Sequence, residues 1–175
     1  MLISLSEVMN LPQIENRFVC SYEPDTFDGT GESYRIIEKN DVDVTVTNLG
    51  SKRLGIKAVG RFVIEVPCDR CLSPQRVEIP IDFFNEVDMN KTAEERAQDL
   101  DETDYISGYD LDVDRLIYEE ILLGFPTKVL CDEDCKGLCK VCGHNLNEGE
   151  CGCDRTELDP RMSVIRDIFN QVKEV

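Results

Sequence analysis

LGIKAVGRFVIEVPCDRCLSPQRVEIPIDF, residues 54–83, alternates apolar and polar side chains on both sides of a C-x-x-C pair. The even positions from Leu54 to Val66 are Leu54, Ile56, Ala58, Gly60, Phe62, Ile64 and Val66, while Lys57, Arg61 and Glu65 hold odd ones. Successive strand side chains point to opposite faces, so this period of two predicts a half-buried β-strand. Val77, Ile79, Ile81 and Phe83, set against Arg76, Glu78 and Asp82, predict a second. Pro67 and Pro74 bracket the connection, which puts Cys68 and Cys71 at a hairpin tip. Upstream, Val42, Val44 and Val46 alternate with Asp43, Thr45 and Thr47 as an earlier strand, and Asn48-Leu49-Gly50-Ser51 turns into the long one. Residues 1–87 are thus expected to form an antiparallel sheet domain.

Residues 88–110 are polar and acidic and read as a linker loop, with one helical turn near residues 92–100. Asp112 caps a helix whose face carries Val113, Leu116, Ile117 and Ile121, and Gly124, Phe125 and Pro126 end it. Asp159-Pro160 is an N-cap with Pro at the first helical position, followed by a stripe of Met162, Ile165, Ile168, Phe169 and Val172. The expected fold class is α+β: an antiparallel β-sheet domain with a C-terminal Cys-rich zinc-binding module and two short helices, the module and helices occupying residues 111–175.

The C-terminal stretch CDEDCKGLCKVCGHNLNEGECGC, residues 131–153, holds six of the nine cysteines. Cys139-Lys140-Val141-Cys142-Gly143 has the form of a zinc knuckle: two thiolates on a tight turn aim at one ion. Cys131 with Cys135 and Cys151 with Cys153 make two further close pairs. The segment is short, polar and Gly-containing, so a metal would supply the folding energy that apolar burial cannot. Zinc takes four ligands, so six candidates leave the assignment open; four cysteines would also suit an iron–sulfur cluster. His144, the sole histidine, reads as a loop surface residue. Cys68 and Cys71 form a candidate second metal half-site. With Cys20 set aside, eight cysteines suffice for two four-thiolate sites if the hairpin tip pairs with part of the downstream cluster. The competing readings of that tip are a plain turn and a redox dithiol. The redox reading is the weaker, because the pair lies between strands and not at the start of a helix.

The net charge of −17 opposes phosphate, whose attraction to Lys and Arg dominates nucleic-acid affinity. Residues 41–76 nevertheless carry six bases and four acids, and residues 82–120 fourteen acids and three bases. Lys52, Arg53, Lys57, Arg61 and Arg70 are therefore the candidate RNA contacts, and the acidic arm the candidate contact for a basic protein. No apolar run reaches about 20 residues, as a membrane helix needs. The start lacks the basic region of a secretory signal, so a cytoplasmic chain with reduced thiols is expected. G-x-S-x-G, H-E-x-x-H, P-loop and G-x-G-x-x-G motifs are absent, no small-molecule substrate is indicated, and an all-Cys zinc site is a closed, structural one. The chain reads as a non-enzyme.

CDRCL between strands, then EDCKGLCKVCGHNLNEGECGC, then LDPRMSVIRDIF resembles the bacterial YceD-type family, the large ribosomal RNA subunit accumulation proteins. The likeness runs roughly from Val42 to Phe169. It implies a role in synthesis, processing or accumulation of large-subunit (23S) ribosomal RNA. The implied partners are ribosomal RNA or the pre-50S particle and basic ribosomal or assembly proteins. By the same resemblance Cys68 and Cys71 occupy the family's first C-x-x-C, and Cys135, Cys139, Cys142, Cys151 and Cys153 its second cluster. Some members keep only the first, which makes the metal module a stabilising attachment. A thiol redox protein or sensor using Cys68 and Cys71, and a zinc-ribbon adaptor unconnected with ribosomes, are the alternatives.

Overall fold

The computed structural model describes residues 1–10, 15–29, 31–91, 95 and 105–154. The C-terminal helix expected from Asp159 and, apart from Glu95, the helical turn expected within residues 92–100 lie outside the described residues. The chain divides into two compact units. The first comprises Met1–Pro67 and Pro74–Val129; the second comprises Cys68–Ser73 and, among the described residues, 130–154.

The first unit opens with β1 (Leu2–Ser4) and α1 (Leu5–Met9). Six antiparallel strands follow: β2 (Glu15–Cys20), β3 (Thr26–Asp28), β4 (Ser33–Lys39), β5 (Val42–Gly50), β6 (Arg53–Pro67) and β7 (Pro74–Asp88). Then come β8 (Ile106–Ser107), β9 (Asp110–Asp112) and α2 (Val113–Gly124), with β1, β9 and β8 forming a second, three-stranded sheet.

The long strand β6 organises the main sheet. It pairs with β7 throughout, from Arg53 opposite Asp88 to Pro67 opposite Pro74. Its other edge is shared, with β5 alongside residues up to Val59 and β4 alongside Phe62 to Glu65. Gly60 sits where the partner changes. A Cβ there would lie 2.8 Å from Val42 Cγ2, so only a glycine lets the first residue of β5 pack at this seam. β2 extends the sheet beyond β5, and β3 beyond β4.

The alternation read from the sequence is the alternation observed. Val42, Val44, Val46, Leu54, Ile56, Ala58, Phe62, Ile64, Ile79 and Ile81 are all buried in one core. Helix α2 adds Leu116, Ile117 and Ile121 to that core, and Asp112 caps it by accepting from the Arg115 backbone N–H at 3.3 Å. The last turn of α2 comes close to the sheet, since a Cβ on Gly124 would meet Ile79 Cγ2 at 2.8 Å. An aromatic cluster closes one end of the unit. Phe27 lies 5.5 Å from both Tyr118 and Phe125, and Tyr34 stacks on Phe125 at 5.1 Å. Asn48, buried in β5, donates its side-chain amide to the carbonyls of Val8 and Met9 at the end of α1.

The described chain is thus mostly antiparallel sheet with two helices, as expected in class. The helices are α1 and α2; α1, β1–β4 and the small sheet are elements the sequence reading did not anticipate.

Candidate metal centre

Both C-x-x-C segments fold into the same turn. In Cys68-Asp69-Arg70-Cys71-Leu72-Ser73 the N–H of Cys68 donates to the carbonyl of Ser73 at 2.8 Å, and the N–H of Leu72 to that of Cys68 at 2.9 Å. In Cys139-Lys140-Val141-Cys142-Gly143-His144 the N–H of Cys139 donates to His144 O at 2.8 Å, and the N–H of Gly143 to Cys139 O at 2.8 Å. The fifth residue is left-handed in each, at φ 59° for Leu72 and 73° for Gly143. This geometry points amide N–H groups at the first sulfur and brings the second sulfur beside it.

Each turn meets a second pair of cysteines inside the same compact unit. The Sγ atoms of Cys68, Cys71, Cys131 and Cys135 lie within 4.8 Å of one another, as do those of Cys139, Cys142, Cys151 and Cys153. Cys68 Sγ is 3.8 Å from Cys135 Sγ, and Cys71 Sγ is 3.5 Å from Cys131 Sγ. Four thiolates bound at ~2.3 Å around a tetrahedral zinc stand about 3.8 Å apart, so the first group fits the ion in number, chemistry and spacing. The two groups divide all eight cysteines other than Cys20, which is buried in the sheet core. The downstream six of the sequence reading therefore split: Cys131 and Cys135 join the hairpin tip, and Cys139, Cys142, Cys151 and Cys153 form the other set.

The surroundings favour thiolate at chosen sulfurs. Burial pushes the Cys68 thiol up, but the backbone N–H groups of Arg70, Cys71 and Cys131 outweigh it and bring it down to about 6. The Cys131 N–H reaches Cys68 Sγ at 3.4 Å. The Ser73 hydroxyl, 3.1 Å from Cys71 Sγ, holds Cys71 below the ordinary thiol value. N–H groups of Cys142 and Val141 bring Cys139 down to about 6 against its burial. Within each group one sulfur moves the other way. Cys131, crowded by Cys135 and Cys71, and Cys153, crowded by Cys142 and Cys151, are each pushed up to about 12. Four sulfurs this close cannot all be negative without a cation among them.

The first group is the better enclosed, since Cys68, Cys71 and Cys135 are buried and Cys131 exposed. In the second group only Cys139 is buried. Arg70 ties the first group's two segments together: Nη1 donates to the carbonyls of Cys135 at 2.8 Å and Glu133 at 3.2 Å, and its own carbonyl accepts from Leu138 N. Asn147 donates to Cys135 Sγ at 3.3 Å while its Oδ1 accepts from the Lys136 N–H. The sequence reading had no signal for Asn147 beyond its place in a polar Asn-Leu-Asn run, and it assigned Arg70 to RNA. Gly137, at φ 74°, lies against Arg70, where a Cβ would stand 3.0 Å from the Arg70 carbonyl oxygen. We expect Gly137→Ala to destabilise this unit by about 1–3 kcal/mol, from left-handed strain plus displacement of Arg70. Earlier loss of amide-exchange protection in residues 130–154 than in the sheet is the readout, and unchanged protection contradicts it.

Of the other candidate RNA contacts, Arg53 and Arg61 lie on the sheet beside carboxylates from neighbouring strands. Arg61 reaches Glu78 at 3.2 Å and Glu38 at 3.5 Å, and Arg53 reaches Glu86 at 3.8 Å. Lys52 is exposed in the β5–β6 turn, and Lys57 stands between Thr45 and Phe84 on the exposed face.

The model of the family described as large ribosomal RNA subunit accumulation protein YceD matches residues 57–169, a span that includes all eight clustered cysteines. The chain belongs to that family. YceD relatives are distant. A YCED homolog 1 of Arabidopsis thaliana, a chloroplastic protein named for large ribosomal RNA subunit accumulation, is 26% identical over 149 residues, covering 70% of this chain and 46% of its own length. The protein of the same name in Zea mays is 29% identical over 156 residues, covering 73% and 52%. An uncharacterised protein of Mycobacterium tuberculosis is 30% identical over 94 residues, covering 54% and 45%. The chain spans about half the length of the curated relatives it matches. No solved structure matches it.

Proposed function

We propose that this YceD-family chain is a non-enzymatic, cytoplasmic factor in ribosome biogenesis that supports synthesis, processing or accumulation of large-subunit (23S) ribosomal RNA. Its Cys-rich unit would fold around two zinc ions, one held by Cys68, Cys71, Cys131 and Cys135, the other by Cys139, Cys142, Cys151 and Cys153. The observation that carries the reading is the family match, which takes in both sulfur groups. Supporting it, the relatives that share the family's name are named for this same accumulation. Among the described residues no helix is long and apolar enough to cross a membrane. The partners would be the pre-50S particle, met through ribosomal RNA or through basic ribosomal or assembly proteins. The −17 charge supports a protein partner as the first contact.

Deleting the gene in the source organism is expected to lower the ratio of 23S to 16S ribosomal RNA, with recovery on complementation by the wild-type gene. A ratio unmoved by deletion overturns the reading. The low-lying Cys68 thiol beside Cys71 favours a second reading, a thiol redox protein. Thiol titration of the purified protein separates the two. Redox use requires Cys68 to react while metal is bound, whereas a structural role leaves it protected until a chelator is added.

A further inference from the structure

The main sheet has one face in the core and one in solvent, and the solvent face carries apolar side chains. Phe84 is 65% exposed, Val19 62%, Val59 42% and Leu49 41%. Strand register places three of them in adjacent rows. Val19, Asp43, Val59 and Asp82 form one row across β2, β5, β6 and β7; Arg17, Thr45, Lys57 and Phe84 form the next; Glu15, Thr47, Gly55 and Glu86 form the third. Same-face neighbours in a sheet stand about 5–7 Å apart, so these side chains make one surface. Leu49 and Phe84 come together over Gly55, which is buried: a Cβ there would meet Leu49 Cδ1 at 3.5 Å and Phe84 Cε2 at 3.6 Å. Single exposed apolar residues need no explanation, but four gathered on one face of one sheet mark a contact surface.

The charges around this platform select its occupant. Arg17 is held by Asp43 through two hydrogen bonds of 3.1 and 2.8 Å, and Arg53 stands 3.8 Å from Glu86. The three rows and Arg53 carry Arg17, Arg53 and Lys57 against Glu15, Asp43, Asp82 and Glu86. Among the described residues Lys57 is the cation of the platform outside an ion pair, against two such carboxylates, Glu15 and Asp82. A phosphate backbone approaching this face meets no basic surplus, and the chain as a whole repels it. We propose that the face docks a basic protein segment, with an apolar or aromatic side chain seated against Phe84 and Leu49 and flanking Lys or Arg reaching Asp82, Glu86 and Glu15. The proposal rests on the ribosome-assembly reading and names the surface that would meet a basic ribosomal protein.

The test uses the full, metal-loaded chain and two probes: large-subunit ribosomal proteins extracted free of RNA, and a 23S transcript free of protein. Phe84→Ser, Leu49→Ser and Asp82→Lys/Glu86→Lys are compared with wild type, each first shown to keep the wild-type thermal transition. We expect a basic protein from the first pool to bind wild type. Phe84→Ser should weaken it about 30-fold, as truncation of an interface aromatic does. Leu49→Ser should weaken it less, and the double charge reversal should abolish its salt-sensitive part. Equal binding by wild type and all three variants overturns the docking face while leaving the family reading intact. Transcript binding that depends on Phe84 overturns it in favour of RNA, and a Phe84-dependent dimer overturns it in favour of a second copy. Unchanged 23S levels on gene deletion defeat the ribosome-assembly reading whatever the binding shows.

Discussion

Replacing Cys68 with Ser is expected to cut the bound zinc from two ions per chain to one and to unfold the segment around Cys131 and Cys135. Among the described residues, and apart from the sulfurs themselves, the cluster they form has Leu130 and Leu138 packed against it as apolar support. Burial of two leucines contributes about 3–6 kcal/mol at best. That cannot offset the ordering of some two dozen residues at about 1.5 kcal/mol each. Zinc held by thiolates supplies about 10–16 kcal/mol in small domains that have no other core. Metal analysis of the purified variant, together with amide exchange over residues 130–154, reads both halves of the expectation. The sheet unit, with its own core, keeps its exchange protection. Cys142→Ser is the comparison: it should also leave one ion, but with the Cys131–Cys135 segment still protected. A Cys68→Ser protein that retains two ions, or keeps full protection after chelation, would refute the metal assignment.

The second large effect belongs to the sheet unit. Phe27 is fully buried on the three-residue strand β3 and lies against both Tyr118 of α2 and Phe125 beyond it. Phe27→Ala removes a large side chain from a site that rigid neighbours cannot refill, at a cost of about 3–5 kcal/mol. Two aromatic pairs are lost as well, each of about 0.5–1.5 kcal/mol. Domains of this kind have about 5–15 kcal/mol in all, so the variant should lie near the edge of folding. The urea midpoint of the sheet unit's transition measures this. A shift equivalent to less than about 1 kcal/mol would mean that β3 is not anchored through Phe27.

How much of this was written in the sequence depends on the length of the pattern. β6 and β7 run 15 residues each, long enough for their alternation to exclude a helix. β5, with three buried valines in register, was equally plain. β3 has three residues and one buried side chain, which is no period at all. β4 carries a bulge between Ile36 and Glu38 that puts its alternation out of step. Asp112 announced α2 because its carboxylate can reach a free N–H at a helix start. Nothing in the sequence announced α1, a helix of five residues.

For the site, spacing identified both C-x-x-C turns but could not say which sulfurs meet. Cys71 and Cys131 are 60 residues apart, and their approach depends on how the intervening strands and helix fold. Charge was legible as a sum and not as a distribution. The surplus of bases in residues 41–76 suggested a basic face, but Glu38, Glu78 and Glu86 come from other parts of the chain to stand beside Arg61 and Arg53.

That 60-residue separation also bears on how the protein is made. The ribosome delivers the chain from its N-terminus at about 5–20 residues per second. The turn at Cys68 therefore waits several seconds, its thiols exposed to oxidants and to competing cations, before Cys135 emerges. The quartet ending at Cys153 spans only 15 residues, from Cys139, and can assemble almost as soon as it leaves the exit tunnel. Maturation is thus vectorial in a reversed sense. The cysteines synthesised first are completed by a later stretch of chain, and a nascent polypeptide truncated before residue 131 carries half of the first sulfur group, which it can never close alone.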